Sequence, residues 1–307
     1  MGMALETPPN QTVLAAHPRL TLEKNGYRYV IEKKGDGGTY TVTDGDQSMT
    51  WPIRYAFGIQ MQTFVLEHEG RFYESMVSYY PAVGGLAITM GSERLRPRTI
   101  VEAMGRPLEQ DEVTRCFGCH SSGSEAAGIL NAAAARPGVD CEHCHRDATQ
   151  HLEAMRQGKP GPIPAKLGAM TAEDMSNFCG QCHRTWDTVV RQRLWGEINV
   201  RFQPYRLANS RCFVGDDRRI ACTSCHNPHQ DLVRDDAAYD GKCQACHGAA
   251  AAIRKISTAA APIAKPCPVA KSRCVSCHMQ KIELPGSHSV FTDHNIRIVR
   301  KGEPYPD

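Results

Sequence analysis

Cys116-Phe-Gly-Cys119-His120 is the first of six copies of one pattern, Cys-x-x-Cys-His, that this chain carries between Cys116 and His278. The other five copies are Cys141-Glu-His-Cys144-His145, Cys179-Gly-Gln-Cys182-His183, Cys222-Thr-Ser-Cys225-His226, Cys243-Gln-Ala-Cys246-His247 and Cys274-Val-Ser-Cys277-His278. The pattern is the attachment signature of c-type haem. Its two thiols bond to the haem vinyl groups, and its histidine becomes the proximal ligand of the iron. The sequence therefore predicts six covalently bound c-type haems.

Zinc is the alternative cofactor, because paired Cys-x-x-Cys motifs also build zinc sites. A zinc site has no need of a histidine directly after the second cysteine, yet all six pairs have one. Histidine makes up only 13 of the 307 residues, so chance does not explain this regularity. The six histidines therefore favour haem over zinc.

The spacing of the motifs also predicts the fold of the second part of the chain. Six haems within the segment from Cys116 to His278 leave few residues for each, and aromatic residues are only 7% of the chain. We expect the porphyrins to supply much of the buried apolar surface, with short helices and irregular connections around them. Folding would then depend on the cofactors.

Residues 1–115 contain no cysteine and have the pattern of β-structure. Apolar residues alternate with others from Trp51 to Ile59, which is typical of a half-buried strand. Thr63–His68 and Arg71–Tyr80 flank Glu69-Gly70 and predict a hairpin. The predicted class is α+β, with a small antiparallel β-rich N-terminal domain over 1–105 and a mostly helical or irregular hexahaem domain over 106–307. The N-terminal domain would be either a docking module or a structural lid.

Helical periodicity is clearest after Thr171, which has the character of an N-cap. Apolar residues recur at helical spacing from Met175 to Leu194, and Gly196 is a plausible stop. We expect one helix here that carries the third motif. The Ala-rich stretches 132–135 and 249–252 are predicted to be helix or loop.

Seven histidines lie outside the proximal positions, which is enough for a second axial ligand on nearly every iron. Bis-His ligation favours electron transfer over substrate binding, because both axial positions are filled. The favoured distal ligands are His151, His229, His294, His288 and His17. His143 and His68 are less favoured: the former lies inside a motif, and the latter lies at a predicted hairpin tip.

Cys212 and Cys267 are the two cysteines outside the motifs. Spare cysteines in an oxidising compartment usually pair, so we expect a disulfide between them. The alternative is a pair of free thiols.

Charge and hydropathy argue against nucleic-acid binding and against a transmembrane segment. The formal net charge is only +3, and no basic run indicates nucleic-acid binding. No stretch is long and apolar enough to be a transmembrane segment.

The first residues lack the features of a signal peptide, whereas c-type haem is attached outside the cytoplasm. We therefore expect a leader that was trimmed or lies upstream, and a periplasmic or extracellular protein.

The stretch Gly138-Val-Asp-Cys-Glu-His-Cys-His…His151 resembles a known group of multihaem c-type cytochromes. These cytochromes are related to the tetrahaem electron acceptor of hydroxylamine oxidoreductase and to pentahaem nitrite reductase. Cys-Thr-Ser-Cys-His-Asn-Pro-His229 and Phe-Thr-Asp-His294 strengthen the likeness, which covers about residues 110–298. The resemblance implies that His151, His229 and His294 are distal ligands and that the haems pack in close pairs.

This chain departs from that group in two ways. It has six motifs where the relatives have four or five, and no motif ends in the Cys-Lys of most pentahaem nitrite reductases. The second departure counts against nitrite reduction.

The sequence therefore predicts an electron carrier rather than an enzyme, which relays electrons between redox protein partners. One alternative is an oxidoreductase for a small nitrogen or sulfur compound at one open haem. Another is a subunit of a conducting filament, in which His17 ligates a neighbouring subunit's haem, or of a larger electron-transport complex.

Overall fold

The structure is a computed structural model that describes residues 5–8, 10–59, 61–126, 129–145, 148–162, 166–248, 267–300 and 302–306. It divides into two compact units. The sheet unit comprises Gly2–Pro164 and Pro285–Ser289, and the helical unit comprises Ala165–Leu284 and Val290–Asp307. The sheet and the helices confirm the predicted α+β class.

A nine-stranded antiparallel sheet forms most of the sheet unit. Seven strands follow one another in sequence order, from β2 to β8, while β1 pairs with β5 and β9 pairs with β7. The strands are β1 Leu5–Glu6, β2 Arg19–Lys24, β3 Tyr27–Lys34, β4 Gly37–Asp44, β5 Gln47–Phe57, β6 Gln62–His68, β7 Arg71–Tyr80, β8 Gly85–Ile88 and β9 Gly105–Pro107. This meander has short connections because each strand pairs with its neighbour in sequence.

The predicted hairpin between β6 and β7 is confirmed. His68 pairs with Arg71, and the two residues between them, Glu69 and Gly70, both have positive φ of 50° and 74°. Such a two-residue turn matches the right-handed twist of the paired strands. In β5, Trp51 and Ile53 are buried while Pro52 and Arg54 are exposed, as the alternation predicts. The second half of the prediction is wrong, because the register shifts between Ile53 and Tyr55, Ala56 is buried, and Ile59 lies exposed beyond the end of the strand. The inward side chains join the main apolar core of the sheet.

Short helices carry all six motifs. The helices are α1 Thr12–Ala16, α2 Ile100–Met104, α3 Gln110–His120, α4 Cys141–Cys144, α5 Ala148–Arg156, α6 Ala172–His183, α7 Trp186–Gln192, α8 Gln203–Ala208, α9 Cys222–Cys225, α10 Asp240–His247 and α11 Cys274–His278. Single 3-10 turns occupy Ala132–Ala134, Leu167–Ala169, Glu197–Arg201 and Asp236–Tyr239. Two-stranded ribbons pair β10 Ser121–Ser122 with β13 Arg136–Pro137, β11 Glu125–Ala126 with β12 Ile129–Leu130, and β14 Lys281–Glu283 with β15 Val290–Thr292. The Ala-rich stretch 249–252 lies outside the described residues.

The single helix predicted after Thr171 is wrong in one respect, because the structure has two helices there. Thr171 caps α6 as expected and accepts a hydrogen bond from the Asp174 amide at 3.1 Å. The helix ends at His183 because Arg184 has a φ of 66°, outside the helical region. Thr185 then caps α7, which ends at Arg193 in the left-handed conformation rather than at Gly196. Apolar spacing continues across the break, so periodicity alone did not show it.

The first two motifs belong to the sheet unit, although the predicted domain boundary lies at residues 105 and 106. Strand β9 pairs with β7 up to Pro107, and α3 packs on the sheet through Phe117. The compact units therefore divide at Pro164. The placement of the domain boundary at 105 and 106 stays a prediction.

Buried apolar side chains are distributed unequally between the two units. Thirty-five such residues occur in the described part of the chain, and only nine of them belong to the helical unit. These nine are Ala172, Met175, Val189, Val200, Tyr205, Leu207, Ala221, Val275 and Leu284. A unit that carries four motifs therefore has little apolar core of its own, as a segment built around cofactors is expected to have.

Candidate functional site

The first motif lies at the end of α3, on the aromatic side of the sheet. Phe117, between its two cysteines, is fully buried and packs edge to face on Tyr55 at 4.8 Å and on Phe57 at 5.4 Å between ring centroids. His120 meets the Phe57 ring at 5.5 Å. Burial raises the pKa of the Cys116 thiol to about 11. The sheet thus holds the first motif through aromatic contacts.

The second motif forms the single turn α4, and its start is fixed by Asp140. This carboxylate accepts hydrogen bonds from the amides of Glu142 and His143 at 3.0 and 3.3 Å. Arg136 pairs with Asp140 at 2.8 Å, and the pKa of Asp140 is lowered because Arg136 and Ser122 hydrogen-bond to it, despite partial burial. An acidic N-cap is what a short helix requires at this position.

The third and fourth motifs lie side by side in the helical unit. Helix α6 packs on α9 through a small cluster in which Ala172, Met175 and Ala221 are buried. The first cysteines of the two motifs share a hydrogen bond, which raises the pKa of Cys179 and lowers that of Cys222. The first cysteines of the third and fourth motifs are therefore adjacent.

The fifth and sixth motifs are joined by one carboxylate. Asp240, at the start of α10, accepts hydrogen bonds from the amides of Arg273 and Cys274 at 2.6 and 2.8 Å. These amides lie at the start of α11, where no other group in the helix satisfies them. The two hydrogen bonds lower the pKa of Asp240.

His226, the proximal histidine of the fourth motif, lies opposite His294. The two ring centroids are 6.1 Å apart. Two imidazoles that share one metal, each with its nitrogen about 2 Å from the ion, have centroids about 6 Å apart. Partial enclosure lowers the pKa of His294 to about 4, so the ring is neutral at physiological pH. Neutral imidazole is the form that ligates a metal.

Three candidate ligands have a hydrogen bond that orients the ring. In each of them Nδ1 lies close to a backbone carbonyl oxygen. The distances are 2.9 Å from His151 to Pro162, 3.0 Å from His278 to Arg297, and 3.0 Å from His294 to Thr292. A carbonyl oxygen only accepts, so Nδ1 is the donor in each ring and Nε2 is the nitrogen that could bind a metal. Metal-ligating histidines are typically held in this way.

The structure gives the other distal candidates different surroundings. Nε2 of His17 is 3.0 Å from the Tyr79 hydroxyl. His68 stacks on Trp51, with ring centroids 4.4 Å apart. His288 is exposed, has a φ of 49° and lies against Tyr80. His229 is exposed after α9, and His143 is half-buried within α4. The ligation of an iron by these five histidines stays a prediction.

The structure has Cys212 and Cys267 as free thiols, with Cys212 half-buried and Cys267 exposed. Burial is the main reason why the pKa of Cys212 is raised, and the thiols of Cys246 and Cys243 are near enough to contribute. The predicted disulfide is not formed in the structure, and it stays a prediction to be tested chemically.

The residues present fit covalent haem in three respects. Each motif places its two cysteines one turn apart on a helix, and the described part of the helical unit has only a small apolar core. The spacing of His226 and His294 fits an ion between them. We therefore take the six motifs as the residues that would hold haem.

Sequence reasoning missed two buried residues next to this pair of histidines. Arg206 on α8 forms an ion pair with Asp293, the residue before His294, and both side chains are fully buried. The only signal in the sequence is an acidic residue directly before a candidate ligand, which does not indicate burial.

A match to one protein family supports the cytochrome interpretation. Residues 92–146 match the model of the family described as cytochrome c554 and c-prime. This segment contains the first two motifs, and it supports a c-type cytochrome with covalently bound haem that transfers electrons. The specific relationship to the hydroxylamine oxidoreductase acceptor and to nitrite reductase stays a prediction.

The crystal structure of the outer cell wall cytochrome OcwA is similar to this chain at a TM-score of 0.33 and 16% identity. The similarity covers 77% of this chain and 51% of that one, so this chain spans about half its length. A TM-score of this size does not establish a shared fold. No curated protein matches the chain.

None of the helices within the described residues is both long enough and apolar enough to cross a membrane.

Proposed function

We propose that the protein is an electron carrier with six c-type haems, most of them ligated by two histidines. The observation that carries the proposal is the position of His294 opposite His226 at 6.1 Å between ring centroids. With both axial positions filled, an iron has no open site for a substrate, and electron transfer is the chemistry that remains.

The twelve motif cysteines would hold the haems covalently, and His120, His145, His183, His226, His247 and His278 would be the proximal ligands. Haem supplies a one-electron couple at its iron. The protein residues hold the ligands in place and keep water away. His294 and His151 are the distal ligands with the best structural support, because a carbonyl orients each ring. His229, His288 and His17 complete the proposed set.

Redox proteins are the proposed partners, and the periplasm or the cell exterior is the proposed location. The family match to an electron-transferring c-type cytochrome supports redox partners. Covalent haem attachment outside the cytoplasm supports the location. Self-assembly into a filament remains a proposal of its own, because the Nε2 of His17 already has Tyr79 as a partner at 3.0 Å. A neighbouring subunit's haem would have to displace that hydrogen bond.

Two measurements on the haem-loaded protein test the proposal. A haemochrome assay should give six c-type haems for each chain, because there are six motifs. Electron paramagnetic resonance of the oxidised protein should then show low-spin ferric haem. A count below six contradicts the haem assignment. A stoichiometric high-spin signal, with carbon monoxide binding to the reduced protein, contradicts the carrier and favours an oxidoreductase.

A further inference from the structure

The ion pair between Arg206 and Asp293 is the most enclosed charged group in the described part of the chain. Nε of Arg206 donates to Oδ1 of Asp293 at 2.8 Å, and Nη2 donates to Oδ2 at 2.9 Å. Neither side chain is exposed to solvent. Removing two charges from water is costly, and an apolar pair of similar volume is often as stable. Stability alone therefore does not account for this pair.

The last described residues also contact the guanidinium of Arg206. Nη1 donates to the Pro306 carbonyl at 2.8 Å. The guanidinium lies over the ring of Tyr305, with its carbon 4.4 Å from the centroid. The Tyr305 hydroxyl in turn donates to the buried Asn199 at 2.6 Å. The guanidinium is thus fixed on several sides, and it presents a rigid fork to Asp293.

Asp293 and Ser210 hold the backbone at His294 and at the two residues after it. The Asn295 amide donates to Oδ1 of Asp293 at 2.9 Å. The hydroxyl of Ser210 donates to the His294 carbonyl at 2.9 Å and accepts from the Ile296 amide at 2.8 Å. Backbone rotation at His294 would break at least one of these bonds.

The ring of His294 is fixed as well. Its Nδ1 donates to the Thr292 carbonyl at 3.0 Å, which leaves Nε2 available on the other edge of the ring. The ring of His226 lies 6.1 Å away. The ion pair, the serine and the carbonyl together hold one imidazole at a set distance from another.

We propose that Arg206, acting through Asp293, positions His294 as the second axial ligand opposite His226. Arg206 is a positioning residue, because it does not itself touch the haem-binding histidines in the structure. The inference rests on the proposed bis-His ligation. It explains why Asp293, directly before His294, is buried in an ion pair. The paired charges fix the position of the His294 backbone, which an apolar pair would leave adjustable.

The test replaces the ion pair without leaving a buried charge. Arg206→Met alone would leave Asp293 buried, charged and unpaired, which is enough by itself to destabilise the fold. The double variant Arg206→Met with Asp293→Leu removes both charges. Arg206→Lys is the third variant, since it keeps the charge and loses the fork.

In the haem-loaded double variant we expect six haems, as in the original protein, but a weaker bond from His294 to one iron. Added imidazole should replace His294 about tenfold more readily, the lower end of the effect of losing a partner behind a metal ligand. The low-spin resonance of that one haem should shift or broaden. Arg206→Lys should show the same change, because charge alone does not supply the geometry.

His294→Gly provides the reference, since it removes the ligand and should make one haem open to imidazole. Arg191→Met is the matched control, because Arg191 forms an ion pair with Asp187 on the exposed surface of α7. It should leave every resonance unchanged.

Two outcomes would overturn different claims. An unchanged resonance and unchanged imidazole affinity in the double variant and in Arg206→Lys contradict the positioning role, even if His294→Gly opens a haem. If His294→Gly opens none, the proposed ligation by His294 is itself wrong. The failure of the inference is thus distinguished from the failure of the proposed function.

Discussion

The ring of Phe57 meets the imidazole of His120 edge to face, with 5.5 Å between the centroids and 66° between the planes. Phe57 is the last residue of β5, and His120 is the last residue of α3. The same Phe57 ring also packs on Phe117. A strand of the sheet therefore contacts the first motif directly, and the stability of the sheet bears on the position of His120, a predicted proximal ligand.

Phe57→Ala should lower the free energy of unfolding by about 3 kcal/mol, because a buried aromatic side chain is lost and a cavity remains. Urea unfolding of the haem-loaded protein measures this change. Ile59→Ala is the control, since Ile59 is 58% exposed and should change stability by no more than about 0.5 kcal/mol. Equal losses in the two variants would contradict the proposed role of the aromatic contact.

Replacing glycine by alanine should affect protein stability differently in the third motif and in the first. A Cβ at Gly180, in the third motif, would lie 2.6 Å from Cγ2 of Thr185 and 3.1 Å from its amide nitrogen. Because a backbone atom is involved, Gly180→Ala should cost about 1 to 3 kcal/mol.

Gly118→Ala is the matched substitution in the first motif. Nothing lies within 4 Å of its Cβ position, and Gly118 is within α3. Alanine favours the helix by up to about 1 kcal/mol, so stability should be unchanged or slightly higher. Thermal unfolding of both variants, at equal haem content, measures the difference in their stability. The prediction fails if Gly180→Ala is as stable as Gly118→Ala.

Acidification should destabilise the protein through His294. Burial lowers the pKa of its ring to about 4 in the folded protein, against about 6.5 in an unfolded chain, and an iron bound at Nε2 would lower this pKa further. Between these values the unfolded chain binds a proton that the folded protein does not. The contribution of the buried, uncharged His294 to the free energy of unfolding is therefore fully present above about pH 6.5. It is lost progressively as the pH falls towards about 4.

The loss would be about 3 kcal/mol for a fully enclosed ring, and the partial exposure of His294 reduces it to about 2 kcal/mol. The measurement is urea unfolding at several pH values for the original protein and for His294→Leu, which has no titrating group there. The difference between the two curves should shrink as the pH falls through this window. A pH-independent difference would contradict the assignment.

Asp240→Asn should loosen the start of the sixth motif. The carboxylate accepts from the amides of Arg273 and Cys274, and an amide oxygen is a weaker acceptor than a carboxylate. Faster hydrogen exchange at these two amides is the expected result. The lowered pKa of Asp240 means that its contribution is present above about pH 4 and is lost below that value.

Asp236→Asn serves as the control for this substitution, because Asp236 forms an exposed ion pair with Lys281 and does not accept from α11. It should leave exchange at Arg273 and Cys274 unchanged. Equal acceleration in both variants would show that any nearby loss of negative charge suffices.

Much of the sheet could be predicted from local patterns. The alternation around Trp51 and the turn at Glu69 and Gly70 are encoded by adjacent residues, and the structure has both. The break between α6 and α7 could not be predicted, because the apolar spacing continues through it. Only the positive φ of Arg184 and the cap at Thr185 mark the break. Backbone conformation at a single residue leaves little trace in periodicity.

The residues that would hold haem follow from the sequence alone, because covalent attachment requires two cysteines and a histidine at fixed local spacing. The tertiary structure decided which histidines come together. His226 and His294 are far apart in the chain, and the buried pair of Arg206 and Asp293 spans a similar separation. Motif spacing is a local property of a helix, whereas the partner of an axial ligand depends on how distant segments pack.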